Sequence, residues 1–411
     1  MKQRYAIVGA SNRAAGMFAK PLKEDFSEEA QVVGIFDINP LRINALKEFA
    51  GLDCPGYTDF DTMMREQSPD RVIVATKDST HHEFIIKSLE AGVDVISEKP
   101  MTTDEQKCQA ILDAEKRTGK KVCVTFNMRC TPCSTAVKQA VVDGLIGDVL
   151  SVNLEYLIGS VHGSDYYRRW HRRKENSGGL LVHKSTHHFD LVNWWINAKP
   201  VDVMAFGERH FFGPVRTEHS ERCSTCPHTA SCEFYFDLEA NDFLRKFYKE
   251  CEASDNYFRD TCVFSEEIDI EDTMSVNVRY SGGILLNYSL ISHSPYEGYR
   301  VCINGTGGRL EIEEYYSTFA LQDPCFYLNI YDRKGQKLTR AIPRPTGDHG
   351  GGDEFLRRML FRGVASDPLN HQADSIAGAL SMLIGVAANK SIAEGRRVGI
   401  GELIDQSYYN C

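Results

Sequence analysis

Residues 5–14 read Tyr5-Ala6-Ile7-Val8-Gly9-Ala10-Ser11-Asn12-Arg13-Ala14, an apolar run that meets a glycine and continues into a helical stretch. This order predicts a buried strand, a tight turn and a helix. Small residues in such a turn let the backbone approach a pyrophosphate, and the helix N-terminus supplies N–H donors. Because Ser11 and Ala14 stand where glycines are usual, a plain β-α turn remains the alternative interpretation.

The second predicted strand ends at Asp37, whose carboxylate can accept hydrogen bonds from a ribose 2′-hydroxyl. Its negative charge would repel the 2′-phosphate of NADP, so NAD is the predicted cofactor. The nearby Arg42 keeps NADP open as the alternative. The candidate cofactor-binding residues in this part of the chain are Gly9, Ser11, Asn12, Arg13 and Asp37.

The first ~125 residues alternate short apolar strands with helices, which is typical of a parallel sheet covered on both faces. The predicted strands are Tyr5–Gly9, Val32–Phe36, Arg71–Thr76, Val93–Ser97 and Val122–Phe126. The clearest predicted helices are His82–Ala91 and Asp104–Thr118, the second with Thr103 as its N-cap.

Beyond Asn127 apolar and polar residues alternate, as in Thr273–Tyr280 and, after a glycine pair, Leu286–Leu290. Alternating strands have one packed and one free face, so we predict a second, mostly antiparallel sheet that is open on one side. The pattern continues at Leu310, Ile312, Leu328 and Ile330, and two closing helices are predicted at Glu354–Phe361 and about Asp374–Glu394. The predicted domains are residues 1–127 and 128–411, the second with a cysteine-rich insertion at about 218–265.

Two segments carry residues suited to proton transfer. Glu98-Lys99-Pro100 follows a predicted strand, where Lys99 can donate to a substrate hydroxyl and lower its pKa as a hydride leaves. Residues 178–190 read Gly-Gly-Leu-Leu-Val-His-Lys-Ser-Thr-His-His-Phe-Asp. If this segment is helical from about His183, then His183, His187 and Asp190 share one face, as an acid/base group or, alternatively, as ligands of a divalent metal.

These segments, together with the loop 75–81, resemble the Gfo/Idh/MocA family over essentially the whole chain. The resemblance implies a doubly wound Rossmann domain, an open-faced α/β domain and a homo-oligomer, either dimer or tetramer. It also implies hydride exchange between NAD(P) and a carbon of a sugar, inositol or glycoside. Lys99 matches the family's catalytic lysine and His187 its catalytic histidine. The segments after the later strands add Thr76, His81, Glu98, Lys99 and Asn127 to the candidate cofactor-binding residues.

The chain departs from the family at two positions. His183 stands where the family usually has an aspartate, and Ser185 where a glycine usually starts the helix. We keep His183 as a third candidate catalytic residue. Loss of the carboxylate leaves a second reaction open, in which the enzyme oxidises a sugar, eliminates or hydrolyses at the neighbouring carbon and then reduces it again. A sugar- and dinucleotide-sensing regulator is a third hypothesis.

The segment Asp165–Arg172 concentrates aromatic and arginine side chains, which bind sugars by stacking and hydrogen bonding. An amphipathic helix at a subunit interface is the alternative interpretation. The run His349-Gly350-Gly351-Gly352-Asp353 predicts a loop at the mouth of the site, with Asp353 as a possible N-cap. The predicted substrate-binding residues are Tyr167, Arg168, Trp170, His171, Lys184, Asp190 and His349.

Cys223, Cys226 and Cys232 have spacing typical of zinc ligands, and their surroundings lack an obvious core. We predict structural zinc with Cys262 as fourth ligand and Cys251 as its alternate. An iron–sulfur cluster and ordinary free thiols are the alternatives.

The net charge of −10 argues against partners such as nucleic acid or an anionic membrane. Neither a signal peptide nor an apolar stretch long enough to cross a bilayer is evident, and the thirteen cysteines are odd in number. We therefore expect a cytoplasmic protein whose partner is a small carbohydrate or polyol.

Overall fold

The computed structural model describes residues 1–316 and 323–409. The strands of this part are β1 Gln3–Val8, β2 Ala30–Phe36, β3 Gly56–Tyr57, β4 Arg71–Val74, β5 Asp94–Ser97, β6 Val122–Val124, β7 Val149–Gly159, β8 Pro200–Glu208, β9 Thr273–Tyr280, β10 Leu285–Ser294, β11 Gly298–Gly305, β12 Gly308–Tyr315, β13 Cys325–Asp332, β14 Lys337–Pro343, β15 Ala373–Asp374 and β16 Val398–Gly399. They form two sheets. The predicted α/β fold, with a Rossmann sheet and a second, mostly antiparallel sheet, is confirmed.

The α-helices of the same residues are α1 Lys20–Glu24, α2 Pro40–Ala50, α3 Phe60–Gln67, α4 His81–Glu90, α5 Glu105–Thr118, α6 Pro132–Val142, α7 Ser160–Arg168, α8 Lys174–Ser177, α9 Leu180–His183, α10 Ser185–Ile196, α11 Asp242–Phe247, α12 Glu252–Asp255, α13 Gly352–Phe361, α14 Ser375–Glu394 and α15 Gln406–Tyr409. A π-helical turn, Ala14–Ala19, precedes α1. The predicted N-cap Thr103 is wrong, because the Asp104 side chain accepts the N–H of Lys107.

In the described residues the first sheet has the order β15-β6-β5-β4-β1-β2-β3 and is parallel except for β15. Its central strands are buried on both faces, as their continuous apolar sequences require. The carboxyl ends of β1, β2, β4 and β5 meet at one edge, so the turns after these strands lie side by side.

The second sheet has the order β14-β13-β12-β11-β7-β10-β9-β8-β16 in the described part of the chain. All its pairs are antiparallel except β7 with β10. Alternate residues of β9 are buried and exposed, so one face packs inward and the other stays open, as the alternation predicts.

Two later segments return to the first half of the chain. β15 pairs with β6, and α13 packs beside the turn that follows it. Phe247 and Tyr248, from the insertion, share a buried apolar cluster with Ile43 of α2. The first sheet and its helices are therefore covered by two later segments of the chain: the insertion, and the C-terminal segment that carries α13 and β15.

Within the described residues one helix, α14, is long and apolar enough to cross a membrane. The expectation that no stretch meets this criterion was therefore wrong. In the fold, 67% of the apolar window of α14 is buried, and the helix packs against α9, α10 and β8. The apolar side chains of α14 therefore form part of the core between the two sheets.

Candidate active site

A cavity of about 1080 Å³ lies between the two halves at the carboxyl edge of the first sheet. This lies at the upper end of the ~300–1,000 Å³ of typical ligand pockets, as expected for a site that takes a large ligand. All ten candidate cofactor-binding residues line it: Gly9, Ser11, Asn12, Arg13, Asp37, Thr76, His81, Glu98, Lys99 and Asn127. The three candidate catalytic residues, Lys99, His183 and His187, line it as well.

The turn after β1 requires a glycine. Gly9 has φ +98°, and a Cβ there would lie 2.7 Å from the backbone of Ala75 and Thr76. The side chain of Asp37 accepts the backbone N–H of Ala10 at 2.7 Å and that of Asn39 at 2.9 Å. This holds a carboxylate at the end of β2, the position from which a ribose hydroxyl is bound in such sheets. The backbone cradle and the acidic group therefore fit a dinucleotide.

Arg13 ties the cradle to the second half of the chain. Its Nε donates to Glu98 at 2.8 Å, and its two terminal nitrogens donate to Asp353 at 2.8 and 3.1 Å. Asp353 also accepts from Asn127 at 2.6 Å and pairs with His349 at 2.8 Å. The interpretation of Asp353 as an N-cap is therefore wrong: α13 begins after Gly351, and the carboxylate points at the cavity network instead.

Lys99 and the histidine segment meet in the wall of the same cavity. Lys99 Nζ donates to the backbone carbonyl of His183 at 3.2 Å. Burial lowers the pKa of Lys99 to about 8, although the charge of Asp78 opposes this shift. His187 packs its ring edge-on to Phe126 at 5.9 Å, and its buried Nδ1 has no hydrogen-bond partner among the described residues.

The helix predicted from His183 is interrupted. His183 ends α9, Lys184 breaks the run, and α10 starts at Ser185. His183 and His187 both reach the cavity, but Asp190 does not. Asp190 is buried in a bidentate pair with Arg129, at 2.6 and 2.7 Å. The predictions of Asp190 as a substrate contact or as a metal ligand beside the two histidines are therefore wrong.

Asp78 is a site residue that sequence reasoning missed. It follows β4, and its Oδ2 lies 2.5 Å from Nδ1 of His183 across the cavity wall. Both side chains are buried, and burial raises the pKa of Asp78 well above its usual value. The signal was present in the loop 75–81, because a carboxylate there can replace the one missing at position 183.

The remaining predicted substrate residues divide into two groups. Arg168, Trp170, His171, Lys184 and His349 line the cavity, with Trp170 stacked on His171 at 3.6 Å. Tyr167 does not: its ring is fully buried against Phe212, and its hydroxyl bonds to Ser292 at 2.6 Å. The neighbouring Tyr166 faces the cavity instead, because successive helical residues point about 100° apart.

The insertion forms a wall of the cavity that the sequence did not reveal. Arg42 of α2 pairs with Asp255 at 2.8 Å, and Asn39 donates to the carbonyl of Cys251 at 3.0 Å. The insertion residues at the cavity are Phe247, Tyr248, Asp255, Asn256, Tyr257, Phe258 and Thr261. The insertion is therefore docked at the end of β2, beside Asp37.

The four cysteines predicted as zinc ligands, Cys223, Cys226, Cys232 and Cys262, line one cavity of about 20 Å³. No three His, Cys, Asp or Glu side chains in the described part of the chain stand at metal-binding distance. The alternate, Cys251, lies elsewhere, with its Sγ 3.2 Å from the carbonyl of Lys246. The structure thus brings the four predicted residues together without forming a ligand set.

A dinucleotide cradle that shares one cavity with a lysine and two histidines defines a nicotinamide-dependent oxidoreductase. Two family descriptions match the chain: an oxidoreductase family NAD-binding Rossmann fold over residues 3–126, and the C-terminal α/β domain of that family over residues 138–400. The chain belongs to the Gfo/Idh/MocA oxidoreductase family.

Named relatives lie in the same family. YteT of Bacillus subtilis (strain 168), named as an oxidoreductase without a stated reaction, is 41% identical and aligns over 98% of each chain. The 2,7-anhydro-N-acetylneuraminate hydratase of Mediterraneibacter gnavus is 31% identical over 49% of this chain and 52% of its own. A levoglucosan dehydrogenase solved with NADH has the same fold, with a TM-score of 0.69, 18% identity and coverage of 97% and 99%.

Proposed function

We propose that this protein is an NAD-dependent dehydrogenase that acts on a secondary hydroxyl of a sugar, an inositol or a glycoside. The observation that carries the proposal is the shared cavity, in which Lys99, His183 and His187 face the dinucleotide cradle. When bound, the nicotinamide ring supplies the hydride acceptor. The aromatic and cationic wall of Trp170, His171 and Lys184 suits a hydroxyl-rich ring.

NAD is favoured over NADP by the charges at the end of β2. Asp37 lies within 3.9 Å of Arg42, but that guanidinium is already held by Asp255 at 2.8 Å. A 2′-phosphate would therefore meet two carboxylates and an arginine engaged elsewhere. We expect NAD to bind more tightly than NADP.

Lys99 and the histidines handle the hydroxyl proton. The Lys99 ammonium donates to the substrate oxygen and stabilises its developing negative charge. His187 is the proton acceptor implied by the family resemblance. His349 also lines the cavity and can hydrogen-bond another hydroxyl of the ring, whereas the buried guanidinium of Arg168 donates to the carbonyl of Phe234.

Formation of NADH tests the proposal. The protein is mixed with NAD and a panel of myo-inositol, D-glucose, D-xylose, methyl glycosides and uronic acids, and absorbance of reduced nicotinamide is followed. We expect steady formation with one class of compound. Lys99→Ala should remove it, whereas Lys77→Ala, a matched change at the cavity rim, should leave most of it. Products detected without NADH would overturn net dehydrogenation.

The docked insertion favours a second candidate, a redox-neutral reaction that oxidises, eliminates or hydrolyses, and re-reduces. A covered cofactor exchanges slowly, so it suits a cycle that regenerates NAD on the protein. The hydratase among the relatives is named for a reaction without net redox change. Mass spectrometry of the panel distinguishes the candidates: new products with retained NAD and no NADH support this one. A third candidate, a sensing regulator, predicts that Lys99 and His187 can be replaced without loss of function.

We also propose that Cys223, Cys226, Cys232 and Cys262 hold structural zinc. A cavity of about 20 Å³ shared by four thiols has the size of one small species and the donor set that zinc prefers. Metal analysis should give one zinc per chain, lost in Cys226→Ser/Cys232→Ser but kept in Cys325→Ser. Zinc well below one per chain would overturn this proposal, and iron with sulfide would favour the cluster.

Two broader expectations remain proposals. The twelve cysteines described by the structure are unpaired, which suits a reducing compartment such as the cytoplasm. The open face of the second sheet carries exposed Phe206 and Leu285, which fits association into a homodimer or homotetramer. Light scattering after size-exclusion chromatography tests the second expectation, and a monomer would overturn it.

A further inference from the structure

The residue at position 183 is a histidine in place of the family's usual aspartate, and the structure brings a different carboxylate to it. Asp78 comes from the loop after β4 and His183 from the end of α9, so the pair joins the two halves of the chain. Asp78 Oδ2 and His183 Nδ1 are 2.5 Å apart, and both residues line the cavity.

We propose that Asp78 and His183 form the proton-transfer dyad of this enzyme, with His183 as the catalytic base and Asp78 as its positioning carboxylate. The proposal rests on the dehydrogenation proposed above and reassigns the proton acceptor from His187 to His183. Where the family usually has a carboxylate at position 183, this chain has an imidazole there, and a carboxylate at position 78 contacts it.

The hydrogen bonds of the three neighbouring histidines support this choice. His188 Nδ1 pairs with Tyr288 at 2.7 Å and lies outside the cavity. His187 Nδ1 is buried without a partner in the described part of the chain. A base oriented by a carboxylate is a recurring arrangement, because the carboxylate selects the tautomer and stabilises the imidazolium that forms. Among the described residues of this segment, His183 alone has such a partner and reaches the cavity.

The proposed dyad requires an ionised Asp78 and one tautomer of His183. With Nδ1–H donating to Asp78, Nε2 carries the free lone pair, and the described residues offer it no hydrogen-bond partner. The substrate O–H proton passes to Nε2, the carbon-bound hydrogen leaves with its electron pair for the nicotinamide, and C–O becomes C=O. The products are a ketone, NADH and an imidazolium whose charge Asp78 balances.

The surroundings explain why the carboxylate is needed. Burial, and then the charge of Lys99, lower the pKa of His183 well below its usual value. The rings of Tyr166, Trp170 and His171 pack edge-on to His183 at 5.5, 6.0 and 4.3 Å. The groups whose charges disfavour its protonation are Lys99, His171, Arg169 and Lys184. Without Asp78 an imidazolium here would be a buried cation among cations.

The hydrogen bond can be tested without a substrate. In ¹⁵N-histidine-labelled protein loaded with NAD, we expect a far-downfield proton on Nδ1 of His183. Asp78→Asn and His183→Ala should both lose this signal, whereas His187→Ala and the exposed control Asp61→Asn should keep it. A signal that persists in Asp78→Asn would overturn the pairing.

Turnover tests the chemical role, with the panel compound that reacts fastest. We expect His183→Ala to lower kcat by ~100-fold or more, and added imidazole to restore part of it. Asp78→Asn should lower kcat more than it changes KM and shift the acid limb of the pH profile. His183→Asp should be worse than the double change Asp78→Asn/His183→Asp, because only the single change places two carboxylates together.

The outcomes separate this inference from the function on which it rests. A wild-type protein that converts no compound overturns the proposed function. A wild-type protein that turns over, with His183→Ala within ~3-fold of it and His187→Ala inactive, overturns the dyad alone. Failure of the double variant to exceed His183→Asp, with both folded by circular dichroism, also contradicts the relocated carboxylate.

Discussion

Arg42, in the helix after β2, and Asp255, in the insertion, form a 2.8 Å salt bridge beside the carboxylate expected to hold the cofactor's ribose. The two residues lie in different halves of the fold, and the insertion closes over the cavity at this point. Tyr257 adds its ring, 5.8 Å from the Arg42 guanidinium. The pair therefore couples the insertion to the adenosine end of the cofactor site.

This pairing predicts slow cofactor release. We expect Asp255→Asn to speed NAD dissociation by ~10-fold relative to the wild type, because the insertion loses its contact with α2. Stopped-flow displacement of bound NADH measures the rate. Asp242→Asn, an exposed change in the same insertion, is the control. Equal rates in the wild type and Asp255→Asn would contradict the closing role.

The depressed pKa of Lys99 predicts an alkaline limit to activity. Because burial lowers this pKa to about 8, the ammonium is lost as the pH rises through 8 and can no longer donate to the substrate oxygen. We expect kcat/KM to fall above about pH 8. Lys99→Arg, which stays charged, should have lower activity without that limb. An unchanged limb in Lys99→Arg would assign it to another group.

Asp353 should be important for stability as well as for the site. Although burial raises its pKa, the hydrogen bond from His349 and the charge of Arg13 hold it well below the usual value. We expect Asp353→Asn to reduce the free energy of unfolding by about 3 kcal/mol, because part of the Arg13 charge is left unpaired. Urea denaturation measures this change.

The same shift fixes the pH range in which this contribution is present. A carboxylate with a lowered pKa stabilises the fold above its unfolded pKa of about 4 and loses that contribution only as the pH falls below it. The difference between the wild type and Asp353→Asn should therefore shrink as the pH falls below about 4. A difference that grows in acid would contradict the pairing.

Mutation of Tyr167 should affect stability, whereas mutation of Trp170 should affect substrate binding. Tyr167→Phe removes buried hydrogen bonds to Ser292 and to the carbonyl of Glu271, so we expect about 1 kcal/mol of lost stability with KM unchanged. Trp170→Ala removes a cavity wall, so KM should rise. Thermal unfolding and initial rates on the same samples check both effects. A raised KM in Tyr167→Phe would indicate that Tyr167 contributes to substrate binding and would contradict its assignment to the core.

Strand ends and short local motifs were sufficient to predict many of the residues that line the cavity. The turns after β1, β2, β4, β5 and β6 supplied all ten cofactor candidates at the cavity, because parallel strands bring their carboxyl ends to one edge. Lys99 and the two histidines were predicted from short motifs, in which all the informative residues are close together in the sequence. The helical spacing failed at Asp190, although α10 is continuous from His187 to Asp190, because Arg129 holds that carboxylate in a buried bidentate pair away from the cavity.

The features of the cavity that the sequence did not predict depend on contacts between distant parts of the chain. Asp78 and His183 are 105 residues apart, so no local pattern joins them. Tyr166 and Tyr167 are adjacent, and only the packed helix shows which one enters the core. The insertion carried a cysteine pattern but no sign that its Asp255 meets Arg42. These features are set by how the two halves dock.

The central claim is that carbohydrate hydroxyls give up a hydride to NAD held in this cavity. A single-turnover experiment tests it most directly: NAD-loaded protein is mixed rapidly with each panel compound, and absorbance of bound NADH is followed. We expect NADH to appear with one class of compound, lasting in a net dehydrogenation and transient in a redox-neutral cycle, and to be absent in Lys99→Ala. NAD-loaded wild-type protein that forms no NADH with any compound would contradict the claim.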